Sequence, residues 1–431
     1  MSDLGNARVE APGRNGLFAR FAAAVGLANL GDGIAVVAWA WTASLLTRDP
    51  LWIAILPATL RVPWVLFALF AGILADRADR RRLIALCDFL RAVCYGLAAA
   101  VIFISLPLEA AAQRGVDNGF LYFSLLGLGF IIGCAEVTRD NAAQTMLPAL
   151  VSCEGLERAN GVLGSIETVG NEMAGPAIGA FLLAVFLPAP FVAIALSFLC
   201  AAFLTMSLSG DFRASAEPAK ELRLRAELLE GFRFVMEKPL LRVLVLITGL
   251  WNFFAEMALI GLILHMQENM DADATTYGIV LAIGAVGGVI GGIVVAPLLK
   301  VFGKATMMQW MGLLSTPVFL LLAFAPGPAT VALALFILYL SGIIWDAVSV
   351  SYRQRVVPDE IRGRVNSVYR LFAWGTMPLG LVASGALVNS VEDLLGRSGA
   401  LIVPFLVAAF GVFLLSLFSW RALGRGFAGR S

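Results

Sequence analysis

One histidine, His265, and five scattered cysteines, Cys87, Cys94, Cys134, Cys153 and Cys200, are present in 431 residues. Neither a CxxC pair nor an HExxH pair can be built from them, which excludes the usual zinc and redox centres, and no metal or cofactor is expected. A GxxxxGK[ST] loop is also missing: Gly303-Lys304 lacks both the earlier glycine and the following hydroxyl residue. ATP hydrolysis through a P-loop is therefore excluded. Charge is scarce, at 14% of residues against about a quarter in soluble proteins. The 31 cations and 30 acids nearly cancel to +1, leaving no basic field for nucleic acid. No nucleophile and base pair or large polar domain is visible, so an enzyme is not expected.

What fills the chain is apolar residues, 60% of the total. They run in uninterrupted stretches, each close to the roughly 20 residues that cross a hydrocarbon core as a helix. The runs predict spans at 17–47, 51–75, 83–107, 119–146, 163–187, 191–209, 239–266, 277–299, 305–325, 330–352, 365–389 and 399–420. The first run is too long for a cleavable signal peptide and is read as a retained span.

Cations sort between alternate loops. One side collects Arg8, Arg14, Arg20, Arg77, Arg80, Arg81, Arg82, Arg158, the linker cations, Lys300, Lys304, Arg353, Arg355, Arg362, Arg364 and the C-terminal arginines. The other side has only Arg48, Arg114 and Arg397. Because cations stay in the cytoplasm during insertion, both termini are expected there. The longest polar insertion divides the chain into a tail at 1–16, a six-helix bundle at 17–209, a linker at 210–238, a second bundle at 239–420 and a tail at 421–431. In the linker Leu222, Leu229, Phe232 and Val235 alternate with charges, the pattern of an amphipathic helix on the membrane face or of a solvated connector. Punctuation repeats between the halves, Leu147-Pro148 with Ala159-Asn160-Gly161 answering Val357-Pro358 with Val365-Asn366-Ser367. That repetition predicts two pseudo-symmetric six-helix units.

After the second span the chain reads Gly72-Ile73-Leu74-Ala75-Asp76-Arg77-Ala78-Asp79-Arg80-Arg81-Arg82. This resembles the GxLaDRxxRR signature of the major facilitator superfamily. The resemblance implies an all-α membrane fold of two six-helix bundles with alternating access. It makes Gly72, Asp76, Arg77, Arg80 and Arg81 a gating motif, with Asp76 expected near Val365 and Asn366 at the start of span eleven. In the second half Lys300 and Lys304 replace the matching Asp and Arg, so only the first copy is expected to gate. Gly31-Asp32-Gly33, Arg61-Val62-Pro63-Trp64 and Arg353 to Ser367 are similar to the branch containing enterobactin exporters and macrolide efflux pumps. Gly175-Pro176-Ala177-Ile178-Gly179 resembles the antiporter motif gxxxGPxxGG, with Asn171 and Ala180 in place of two glycines. Gly175, Pro176 and Gly179 are expected to pack helices and kink the fifth span.

Ionisable groups inside spans are costly and mark partners or wet cavities. Asp32, Glu136, Glu256 and Asp346 each stand in the first span of a group of three, the helix that lines the central cavity in the superfamily fold. Arg61, Glu167, Glu172 and Arg370 stand in the second spans. Asp32 and Glu172 are the expected proton-coupling groups, with Arg61 as partner. Structural pairs of Arg91 with Asp88 and of Arg370 with Asp346 are the alternative use of such charges. From an ideal helix, Glu172 should look about 140° away from Glu167. Aromatic residues such as Trp64, Trp251, Trp345 and Trp374 could line a site for a flat apolar ligand.

The function implied is a secondary active exporter of small amphipathic organic molecules, a drug, siderophore or secondary metabolite, working by proton antiport. A lipid or lysolipid transporter of the same fold is the alternative, and a non-transporting membrane protein or enzyme a third. The expected setting is the cell membrane as a multi-pass monomer in a lipid bilayer. Lysine supplies only 4 of the 31 cations, which fits a GC-rich bacterial genome.

Overall fold

A computed structural model describes residues 14–108, 111, 114–151, 155–210, 212, 224–358 and 361–428. Side chains of Gly72, Asp76, Arg77, Arg158 and residues 224–228, among others within the helices, lie outside that description, as do Cys153, residues 1–13 and 429–431 of the expected tails, and residues 211 and 213–223 of the linker. Helices form α1 (Arg14–Leu46), α2 (Pro50–Arg77), α3 (Arg80–Ile104), α4 (Gly119–Leu150), α5 (Leu156–Thr168), α6 (Gly175–Val185), α7 (Ala189–Met206) and α8 (Leu224–Glu237). They continue with α9 (Pro239–Asn269), α10 (Ala274–Phe302), α11 (Lys304–Ala323), α12 (Pro328–Val356), α13 (Arg362–Gly375), α14 (Met377–Ala400) and α15 (Val403–Ala428).

Twelve segments are long and apolar enough to cross a membrane. The fifth crosses as α5, a π-helical turn at Val169–Ala174 and α6, and the eleventh as α13 and α14. Their starts follow local chemistry. Asp49, Asp79, Asn118 and Asp273 cap α2, α3, α4 and α10 by accepting backbone N–H bonds, and Pro50, Pro239 and Pro328 occupy first positions where no N–H is needed.

The two halves use one packing scheme. In the first, α2 packs on α4, α3 on α4 and α7, and α1 on α7. Moving six spans on, α10 packs on α12, α11 on α12 and α15, and α9 on α15. The same apolar stripes have been used twice, giving two pseudo-symmetric six-helix bundles. Between them run two seams, α2 against α14 and α6 against α10. Gly385 fits where a Cβ would stand 2.4 Å from Leu51 Cα, and at Gly278 one would stand 2.3 Å from Ala180 Cβ. Both points lie toward the face opposite the chain termini.

The π-helical turn precedes Pro176, whose ring has no N–H for an i−4 carbonyl. The Gly175 N–H bonds Gly170 O, five residues back. Here α1 and the fifth span touch backbone to backbone: a Cβ on Gly33 would meet Gly170 O at 2.2 Å, one on Gly175 would meet Gly33 Cα at 2.5 Å, and one on Gly179 would meet Ile34 O at 2.9 Å. Asn171, standing where the antiporter motif has glycine, donates to Asn29 Oδ1 at 3.0 Å. Helix α8 docks on α13, with Gly231 against the Arg364 carbonyl and Val235 buried beside Val365 and Val368.

Candidate functional site

Inside the first bundle, four charged side chains from four spans converge. Arg91 of α3 is fully buried and pairs with Asp32 of α1 and, at 3.5 Å, with Glu136 of α4. Arg61 of α2 stands 3.9 Å from the same Glu136. Trp64 donates its indole N–H to Glu136 Oε1 at 3.3 Å. The Arg91 guanidinium lies 3.9 Å from the centre of the Phe198 ring, which stacks on Tyr95. Two acids and two arginines make this cluster formally neutral, the arrangement that lets charge survive in low dielectric.

Sequence spacing placed Arg91 beside Asp88, three residues away on one helix. The structure separates them by function: Asp88 pairs with Arg139 of α4 at 3.4 Å, which also reaches Asp140 at 3.1 Å. Long arginine side chains cross to neighbouring helices, so Asp32, Asp88 and Glu136 are each neutralised from another span. Arg61 likewise meets Glu136 rather than Asp32. The expected Arg370 and Asp346 pair is replaced as well. Arg370 lies 5.0 Å from the Trp374 ring, and the cation acting on Asp346 is Arg353, seven residues on along α12.

The remaining candidate acids inside the spans are different. Glu172 and Asp346 are exposed, Glu256 is half-buried, and none of the three has an ion pair within 4 Å among the described residues. Glu172 acts electrostatically on Asp346 across the two halves, and Arg61 is the cation acting on Glu256. Glu167 also acts electrostatically on Glu172, and between them begins the π-helical turn, where the helix repeat widens. Trp64 and Trp374 meet edge to face across the halves at 5.1 Å.

Of the gating motif, Gly72, Asp76 and Arg77 lie outside the described side chains, and with them the expected contact of Asp76 to Asn366. Arg81 donates to Leu208 O at 2.7 Å and the Arg80 N–H to Phe212 O at 3.3 Å, tying the start of α3 to the end of α7. His265 is buried against Phe405 and bonded to Asn269 at 2.9 Å.

A second charged group was not foreseen. On the face opposite the termini, Arg397 grips Glu268 with two bonds of 2.8 and 3.0 Å, reaches Glu392 at 3.4 Å, and donates to the Arg48 carbonyl of the other half at 2.5 Å. Arg48 donates to Gln267 at 2.7 Å, Asn389 to Asp49 at 2.9 Å, and Arg114 lies 3.3 Å from Asp393. The three arginines on the cation-poor side therefore all take part in contacts between the halves. Their scarcity was the available signal.

These features define a class: a twelve-span transporter of two mirrored bundles with a charged lumen. The chain belongs to the transmembrane secretion effector family of the major facilitator superfamily, whose profile matches residues 8–423. It is thus a multi-pass cell-membrane transporter and not an enzyme. It is 27% identical over 377 residues to the multidrug efflux pump Tap of Mycolicibacterium fortuitum, covering 84% of this chain and 87% of that one. A bacterial homologue of the human lysosomal transporter Spinster, inward-facing and unoccupied, superposes with TM-score 0.71 at 13% identity, covering 98% and 99% of the two chains. A bacterial homologue of the iron transporter ferroportin matches with TM-score 0.68 in its inward-facing state and 0.58 in its outward-facing state. The identities are 19% and 20%, with 94% of this chain covered in both and 100% and 99% of the other.

Proposed function

We propose that this protein exports small amphipathic organic molecules from the cytoplasm in exchange for protons. The units at 17–209 and 239–420 rock about the lumen, joined by the linker at 210–238 and flanked by cytoplasmic tails at 1–16 and 421–431. The observation that carries this reading is the division of lumen charge. Asp32, Arg91, Glu136 and Arg61 neutralise one another, whereas Glu172, Glu256 and Asp346 stand inside spans without an ion pair within 4 Å among the described residues. An unpaired carboxylate in a wet cavity can exchange a proton and hold a polar or cationic group of a ligand. Trp64, Trp374 and Trp251 supply apolar surface beside them.

The close approaches on the arginine-poor face support reading this state as inward-facing, with the termini in the cytoplasm. Resemblance to pumps named for multidrug efflux favours export of organic molecules over lipid transport. The chain works in this reading as a monomer in the bilayer. Gating by Gly72, Asp76, Arg77, Arg80 and Arg81 follows from the motif.

The test uses purified protein in proteoliposomes with ethidium as the probe. Vesicles with an acid interior should accumulate ethidium through inside-out protein, and nigericin should abolish that accumulation while ATP has no effect. Accumulation that survives collapse of the pH gradient would refute proton antiport.

A further inference from the structure

Within the second bundle lies a cavity of about 70 Å³, bounded by α9, α11, α12 and α15. Polar side chains line much of it, including Asn252, Gln309, Ser315, Ser341 and Ser416. A water needs about 10–15 Å³ of such space, so the cavity is large and polar enough for several. Asp346 is the sole ionisable residue on its wall among the described residues. The side chain is exposed although it sits well inside a membrane span.

The neighbouring hydroxyls form a line. Trp345 donates to Thr248 Oγ1 at 3.3 Å, Thr248 shares a 2.7 Å hydrogen bond with the Tyr369 hydroxyl, and Tyr369 shares one of 3.0 Å with Ser349. The Arg353 guanidinium covers the Tyr369 ring at 3.9 Å. This chain leads from the cavity wall toward the cytoplasmic end of α12. The charged groups facing Asp346 are Arg353 on its own helix and Glu172 from the fifth span. From α9, α11 and α15, none lines the cavity.

We infer that Asp346, with the polar cavity behind it, is the site that releases the transported proton to the cytoplasm. This rests on the antiport reading above and names its coupling group, moving that role away from Asp32. Asp32 is held by a fully buried arginine, so taking up a proton there means giving up that ion pair. Asp346 has no such pair to lose. In the inward-facing state its acid group breaks the O–H bond, the proton passes to cavity water and the cytoplasm, and the carboxylate is left facing the lumen. In the outward-facing state the carboxylate takes a proton from outside, which restores the acid and discharges the ligand.

Two readouts keep this inference separate from its premise. Infrared difference spectra of lipid-reconstituted protein, titrated with acid, should show a carboxylic acid carbonyl band that is absent in Asp346→Asn and retained in Asp32→Asn. Asp346→Glu should keep a band with a displaced midpoint, which covers the case of an Asn variant that fails to fold. An unchanged band in Asp346→Asn, or an unmoved midpoint in Asp346→Glu, overturns the assignment. In proteoliposomes a gradient of two pH units drives up to about 100-fold ethidium accumulation for one proton exchanged. Asp346→Asn should reduce this to about 1 while ethidium counterflow persists. Wild-type protein that accumulates nothing refutes the antiport premise, and a variant that accumulates as wild type refutes the role of Asp346.

Discussion

Replacing Arg397 with alanine should open the transporter toward the outside. Arg397 and Glu268 are 23% and 22% exposed, so their two-bond pair is partly shielded from water. The same guanidinium fixes the Arg48 carbonyl across the seam. A hydrogen bond to a charged partner contributes about 1.5–3 kcal/mol when buried, and partial exposure argues for the low end. Glu268 lies on the same half as Arg397 and keeps its grip in both states, so only the bond to the Arg48 carbonyl, about 1.5 kcal/mol at the low end, is removed from the closed-outside state. The state in which the halves have parted does not contain that bond. The equilibrium should therefore shift toward outward-facing by about tenfold, since each 1.4 kcal/mol is tenfold. Spin labels at Phe120→Cys and Leu394→Cys, exposed on opposite halves, in a cysteine-free background would report it as a new long-distance population. Arg397→Lys keeps the charge without the two-bond grip and should fall between. Arg114→Ala provides the contrast: Arg114 and Asp393 are 79% and 89% exposed, and such surface pairs contribute at most about 1 kcal/mol, or about fivefold. If Arg397→Ala leaves the distance distribution of the wild type, the arginines on that face do not hold the halves together.

Gly33→Ala should lower thermal stability strongly, because its Cβ would meet backbone that cannot move aside, while Gly164→Ala, with nothing within 4 Å of the added carbon, should be neutral; overpacking of this kind costs about 1–3 kcal/mol. Unfolding followed by intrinsic fluorescence in detergent compares them directly, and equal melting temperatures would refute the backbone contact between α1 and the fifth span. Arg91→Met should destabilise the first bundle by about 3–5 kcal/mol by leaving Asp32 without its cation and Glu136 with Arg61 alone. Adding Asp32→Asn should recover part of that loss, and a double variant no more stable than the single one would show that the cluster is not held by this pair.

The twelve spans were legible because a membrane helix is specified locally, by apolar length and by capping residues such as Asp49 and Asp273. The partners of the charges were not. Asp88 and Arg91 look like a pair on paper because they are three residues apart, yet each finds a better partner on a neighbouring helix, a choice that depends on how α1, α3 and α4 cross. The direction of Glu172 was not legible for a related reason: residue numbers convert to directions only while the helix repeat holds, and the π-helical turn before Pro176 changes it.

Pairing across neighbouring helices explains the charges kept inside the first bundle, Asp32, Asp88 and Glu136 among them. Glu172, Glu256 and Asp346 remain the exceptions, because no ion pair within 4 Å explains why a costly acid is kept in a span. A structural role requires a partner in the static molecule. A transport role requires that the partner arrive and leave, as a proton or a ligand does. On the proposed antiport reading, the unpaired acids are therefore the coupling groups, and the better-bonded cluster around Arg91 holds the first bundle together.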